Sequence, residues 1–368
     1  MGGSKEQWCF EMKVSVFIPY YNDKLFLAES IESVLRQTFD YFELILLDHA
    51  SDDGSSVVAH SYSDSRIRHL KMKRNLGAGG GLLFIEFLKV ARGKYLKPFC
   101  ADDIMERDCL QKLVSYLDKC PDKHVVFGDL SYVDYHGNLL SRSWYDTRAI
   151  YSELQIAKQY LWGNGSILPY PSSMIKASAI SEMCFDKVVI QIADHFLWTN
   201  LIINGSKFGY IKDRIVRYRI HEKQMSSNKN PDIFRRSYFE NILFPEVFVK
   251  VRDLRVIKEV FDKSRFVESL VDGDERFVEF IVSHFCVEHL PLPMKTWGLL
   301  KLHRILSNDI MRQEIELRFG YFLSDFRLMY SSIDFRSKEI VSIRWVLSKF
   351  KQWIMKRLRF YKDGPDIL

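Results

Sequence analysis

The sequence predicts an α/β protein, a mostly parallel sheet covered by helices and followed by a helical region. Three observations predict it. β-rich and helical stretches alternate through the first third of the chain. The run Glu43-Leu-Ile-Leu-Leu47 is apolar almost without interruption, as a strand covered on both faces requires. From about residue 230 onward the β signals fade and Phe, Leu, Arg and Glu recur at helical spacing.

The elements follow in order. Val14–Ile18 is a short β-rich run closed by Pro19, and residues 24–37 carry Leu27, Ile31, Val34 and Leu35 at helical spacing. Glu43–Leu47 is the second strand and residues 67–73 the third. Gly77–Gly81 is a glycine-rich turn, and Leu82–Ala91 reads as a helix. Lys94–Cys100 is a further strand, 105–118 a helix, and Val125–Phe127 starts another strand. Three sections are expected: an extension over 1–12, the α/β domain over 13–228, and a helical domain over 229–368 with a basic amphipathic end. There is no internal repeat.

The 368 residues are 47% hydrophobic and 27% charged, which excludes a disordered chain, a collagen and a coiled-coil rod. No uncharged apolar run reaches the ~18 residues of a spanning helix. Met1–Phe10 carries Lys5 and Glu6 and lacks the apolar stretch of a secretory signal. Six cysteines, none in a CxxC pair, read as reduced thiols of a cytosolic protein. The net charge is +6, but 336–363 holds nine Lys and Arg against two acidic residues, so the rest of the chain sums to −1. Basic character confined to one end argues against a nucleic-acid partner.

In a parallel α/β sheet, ligands bind beyond the carboxyl ends of the strands. Polar groups stand there in three places: Tyr21-Asn22-Asp23, Asp48 and Asp102-Asp103. Adjacent carboxylates repel, and a hard divalent cation relieves that cost while bridging a diphosphate. The alternative for Asp102-Asp103 is a helix N-cap, and Asp48 has the same alternative before a helix near Ser55. Asn75–Gly81 offers backbone amides to phosphate or is simply a turn.

Several ordered stretches resemble one family. Val14–Asn22, Ile31–Phe39 and Phe42–Asp48 are similar to family 2 glycosyltransferases with the GT-A fold. Ala91–Ile104 resembles that family's strand ending in the DxD motif. Gly163–Met174, Ile192–Trp198 and Tyr218–Ser226 continue the resemblance in the family's order. The resemblance implies a metal-dependent, inverting transfer from a nucleotide sugar, UDP-linked first among them, to a hydroxyl of a surface glycan or lipid-linked glycan. Asp103 matches the metal-ligating carboxylate, Asp102 its neighbour near the donor ribose, and His221 a histidine near diphosphate and metal, with Mn²⁺ or Mg²⁺ as cofactor. Pro19, Tyr21, Asn22, Asp48 and His49 match the nucleotide-binding rim. Asp194 matches the general base, with capping of its own helix as the bland alternative.

Three positions depart from the family pattern. His49 stands where a carboxylate usually holds the base, Phe84 near a usual Arg, and Cys100 in place of the first Asp of the longer acidic motif. They leave open a non-catalytic nucleotide-sugar-binding or partner-binding member. A sugar nucleotidyltransferase is disfavoured, because Pro-Tyr-Tyr-Asn occupies the place of its phosphate loop. Within 336–362, Ile340, Ile343, Val346, Leu347, Phe350, Trp353, Ile354 and Leu358 share a helical face with basic residues elsewhere. This fits peripheral attachment to an anionic membrane surface, on the cytoplasmic side, or an amphipathic helix packed on the protein.

Overall fold

The computed structural model describes residues 12–77, 80–141, 152–163, 165–181, 184–225 and 231–331. The Cys9 thiol and the basic amphipathic segment 336–362 lie outside the described residues, as does part of the glycine-rich turn.

The α/β expectation is met. The chain forms β1 (Val14–Tyr20), α1 (Leu27–Leu35), β2 (Phe42–Asp48), α2 (Ser55–His60), β3 (Ile67–Lys71), α3 (Gly80–Leu88) and β4 (Tyr95–Pro98). A two-residue strand β5 (Ile104–Met105), α4 (Cys109–Lys119), β6 (Val125–Val133), α5 (Glu153–Leu161) and β7 (Ser173–Lys176) follow, then α6 (Ala193–Ile203) and the long β8 (Phe208–Arg219). Seven helices complete the described chain: α7 (Pro231–Leu243), α8 (Glu246–Val249), α9 (Leu254–Val260), α10 (Val278–His289), α11 (Leu292–Leu306), α12 (Asp309–Phe319) and α13 (Leu323–Ser331).

The eight strands form one sheet in the order β3-β2-β1-β4-β7-β6-β8-β5. β2 is buried at every position, because helices cover both faces, whereas the edge strand β3 is only half-buried. The core combines Val14, Val16 and Ile18 of β1 with Leu27, Ile31 and Val34 of α1 and Leu110, Leu113 and Leu117 of α4.

Strand direction decides where chemistry can gather. β1, β2 and β4 run parallel, with Tyr20 opposite Asp48 and Phe17 opposite Pro98. β7 runs antiparallel to β4, so its first residues reach the same end of the sheet. β6 and β8 are parallel to each other and pair Val133 with Arg219 at that end too. The exits of β1, β2, β4, β6 and β8 therefore converge with the turn leading into β7.

The chain divides into two compact units between Trp297 and Gly298. The first holds the whole sheet. The described part of the second holds the end of α11, then α12, begun by Asn308 whose side chain accepts the Met311 N–H at 3.0 Å, and α13.

Candidate active site

β1 leaves the sheet through Asn22, which adopts the left-handed backbone region at φ 59°. Its side chain pays back the strain with a reciprocal pair: Nδ2 donates to Asp52 Oδ1 at 2.8 Å, and Oδ1 accepts the Asp52 N–H at 3.0 Å. The loops after β1 and β2 are thereby locked together. Asp48 accepts the Ser51 N–H at 2.8 Å, and its other oxygen is buried without a hydrogen bond, 3.7 Å from Lys71 Nζ. Asp48 does not cap α2. Asp53 does the nearer job, accepting the Ser55 N–H at 2.8 Å, because its side chain lies one residue before the Gly54 helix boundary.

His49 is buried, and its Nε2 accepts the Leu76 N–H at 3.0 Å, so this nitrogen is already occupied. Burial pulls its pKa down, which keeps the ring neutral. Tyr21 is exposed, with its ring edge-on to His49 at 6.2 Å. Pro19 lies inside β1, opposite Leu47.

The acidic pair forms the centre. Asp102 and Asp103 are followed by the short strand β5, and α4 starts only at Cys109, so neither caps a helix. Asp103 is 1% exposed, and one of its oxygens accepts the Arg219 N–H at 2.9 Å. Its other oxygen is buried and has no hydrogen-bond partner. Burial pushes the Asp103 carboxyl well above the usual range, with the Asp102 charge adding to it. Asp102 meets His221 Nε2 at 3.0 Å. Ligand atoms of Cys100, Asp102 and Asp103 lie within 4.8 Å of one another. An orphaned buried carboxylate oxygen beside a second carboxylate is a donor set that fits a hard divalent cation.

Sequence reasoning named the turn holding Asp23 but assigned that residue no role. Its carboxyl is pushed up to about 6, by burial first and then by the charges of Asp102 and Asp53, against a bond from the Tyr21 N–H. It belongs to the same acidic cluster. Arg219 was also missed, although it stands inside the Tyr-Arg-Ile-His stretch. Its guanidinium is buried and donates to the Asp102 carbonyl at 2.8 Å, to the carbonyls of Asp134 and Tyr135 at 3.3 and 3.0 Å, and to Glu29 at 2.5 Å. It ties the ends of β4, β6 and β8 to α1. A lysine cannot reproduce that fork. Arg219→Lys is therefore expected to lower kcat/KM for transfer about tenfold or more while the protein stays folded. Kinetics beside a thermal melt check this, and wild-type kinetics would show that the carboxylates hold their places without the fork.

Asp194 sits in the first turn of α6 and is not its N-cap, a position held by Ile192. Its Oδ2 accepts the Ser166 hydroxyl at 2.8 Å, and Oδ1 accepts the His195 N–H at 3.0 Å. Tyr170 lies in the turn before β7. Burial raises its hydroxyl pKa well above the ordinary value, and the neighbouring Cys100 and Asp194 both add to the rise. Lys97 holds that turn from below: its buried ammonium donates to the carbonyls of Pro98 and Pro171. Phe84, in contrast, is packed among Phe17, Phe87 and Phe185.

This mostly parallel eight-stranded sheet, with the acidic pair at its strand exits, has the GT-A fold of glycosyltransferases. Residues 15–183 match the family model described as Glycosyl transferase family 2, so this stretch of the chain carries a family 2 glycosyltransferase domain. An uncharacterized glycosyltransferase of Methanocaldococcus jannaschii is 28% identical over 252 residues, covering 64% of this chain and 84% of that protein. An Escherichia coli relative, UDP-Glc:alpha-D-GlcNAc-diphosphoundecaprenol beta-1,3-glucosyltransferase WfaP, is 25% identical, with 61% of this chain and 84% of that protein covered. A longer uncharacterized glycosyltransferase of Rickettsia felis, 27% identical over 65% of this chain, is matched over 40% of its own length. S. aureus TarS 1-349, solved with UDP-GlcNAc, shares the fold at a TM-score of 0.52 and 18% identity, over 85% of this chain and 93% of that one. Among the described residues, no helix is long and apolar enough to cross a membrane.

Proposed function

We propose that this chain transfers a sugar, with inversion at the anomeric carbon, from a nucleotide-sugar donor to a hydroxyl of a surface glycan such as lipopolysaccharide, O-antigen or capsule. The observation that carries this reading is the Asp102-Asp103 pair at the strand exits, with one Asp103 oxygen buried and without a hydrogen bond. A UDP donor and a lipid-linked acceptor draw support from the E. coli relative, named as a transferase from UDP-Glc to a diphosphoundecaprenol-linked sugar. The catalytic part is residues 13–228, with 163–226 shaping the acceptor side, and the part 229–368 carries the docking to membrane or partner.

Asp103 and Asp102 would hold Mn²⁺ or Mg²⁺, with His221 steering Asp102. When bound, the cation supplies Lewis-acid stabilisation of the departing diphosphate. Asn22, Asp48 and His49 form the nucleotide rim, with Pro19 and Tyr21 fixing its shape. Asp194 is the base. Ser166 holds Oδ2 and the His195 N–H holds Oδ1, and the carboxylate so oriented takes the proton from the attacking hydroxyl.

Thermal shift with Mn²⁺ and a panel of UDP-, GDP- and dTDP-sugars tests the donor assignment, since a ligand raises apparent stability according to its affinity. A rise with UDP-sugars that vanishes in EDTA is the expected result, and no rise with any of the panel contradicts the reading. One observation favours a non-catalytic binding member instead: the occupied Nε2 of His49 in the base-binding rim. Tight donor binding without turnover is its signature.

A further inference from the structure

We propose that Glu240, on α7 and outside residues 15–183, is a positioning residue for Asp194. This inference rests on the reading of Asp194 as the base. Glu240 is 8% exposed, and its carboxylate accepts three consecutive main-chain N–H groups. Oε1 takes Ile190 at 2.8 Å, while Oε2 takes Gln191 at 2.7 Å and Ile192 at 2.9 Å. Burying a carboxylate costs several kcal/mol unless such charge-assisted bonds compensate it.

The clamped peptide runs directly into the helix that carries the base. Ile192 is the N-cap of α6, and Asp194 follows two residues later. The negative charge of Glu240 also stands at the positive end of α6, where it is favourable. The same segment is gripped from two other directions. A Cβ on Gly80 would come within 2.6 Å of the Ala193 Cβ, and one on Gly81 within 2.6 Å of the Asp186 carbonyl, so α3 packs here without room for side chains. Gln191 Nε2 donates to the Met225 carbonyl at 2.6 Å, joining the segment to the stretch that follows His221. Glu240 is thus the polar anchor of a loop that α3 confines sterically and that reaches both proposed catalytic regions. A displacement of about 1 Å at a base can cost about 10²-fold in rate.

The test compares wild type, Asp194→Asn, Glu240→Gln and Glu240→Ala. It reads UDP release from UDP-glucose with Mn²⁺, and amide hydrogen exchange of the metal-free proteins. Glu240→Ala is expected to lower kcat about 100-fold with KM for UDP-glucose within about twofold of wild type. Glu240→Gln keeps one acceptor oxygen and is expected to lose about tenfold. Exchange should accelerate at 190–194 and stay unchanged in β1, β2 and β4. Wild-type kcat in Glu240→Ala, with Asp194→Asn inactive, overturns the role of Glu240 alone. Full activity in Asp194→Asn overturns the base assignment instead. If wild type releases no UDP from this donor, exchange decides: unchanged protection at 190–194 in Glu240→Ala overturns the proposal.

Discussion

Asp194→Asn is expected to abolish sugar transfer while leaving donor binding in place. The substitution keeps the shape of the side chain and its acceptance of the Ser166 hydroxyl, now through the amide oxygen. It removes the capacity to take a proton. General-base catalysis contributes about 10²–10⁴-fold, so kcat should fall by that factor, about 3–5 kcal/mol in activation free energy. KM for the donor should hardly move, because a base acts on the acceptor's proton and not on the donor. Steady-state kinetics on the folded variant check both halves. A large rise in donor KM with unchanged kcat would place Asp194 among the donor-binding groups instead.

Asp103→Asn is expected to separate stability from function in opposite directions. Without a cation, the ionised Asp103 is costly, since one oxygen is buried and unsatisfied and Asp102 stands beside it. The folded-state pKa lies above the unfolded one, so the folded protein holds this proton more tightly. That cost is complete once pH exceeds the folded pKa and fades as pH falls towards the unfolded value near 4. The neutral amide removes the charge and retains the bond from the Arg219 N–H. The melting temperature in EDTA at neutral pH should therefore stay level or rise. Stabilisation by Mn²⁺ with UDP should drop by at least about tenfold in apparent affinity. Thermal melts with EDTA, with Mn²⁺, and with Mn²⁺ plus UDP measure all three states. Equal Mn²⁺ stabilisation of the variant and the wild type would remove Asp103 from the metal site.

Much of this arrangement was legible in the chain. β2 announced itself because a strand covered on both faces must be apolar throughout, and its buried pattern agrees. The clustering of Asp48 and Asp102-Asp103 followed from the rule that parallel strands end together. What escaped was carried by groups with no local signature. Arg219 reads in sequence as one more basic residue of a strand end, and only pairing Val133 with Arg219 brings its fork to the Asp102 carbonyl. Glu240 reads as an ordinary helix glutamate, and only tertiary packing aims it at three N–H groups fifty residues earlier. The helix-cap alternatives for Asp48 and Asp102-Asp103 were locally sound. They failed because Asp53 lies nearer to α2 and because β5 intervenes before α4.

The anomeric outcome of turnover tests the central claim most directly. Proton NMR of the first sugar released or transferred from α-linked UDP-glucose by wild type with Mn²⁺ distinguishes a single displacement assisted by one base from a two-step route. A β-configured product is the result predicted here. An α-configured product would contradict the assignment of Asp194 as the base of an inverting transfer.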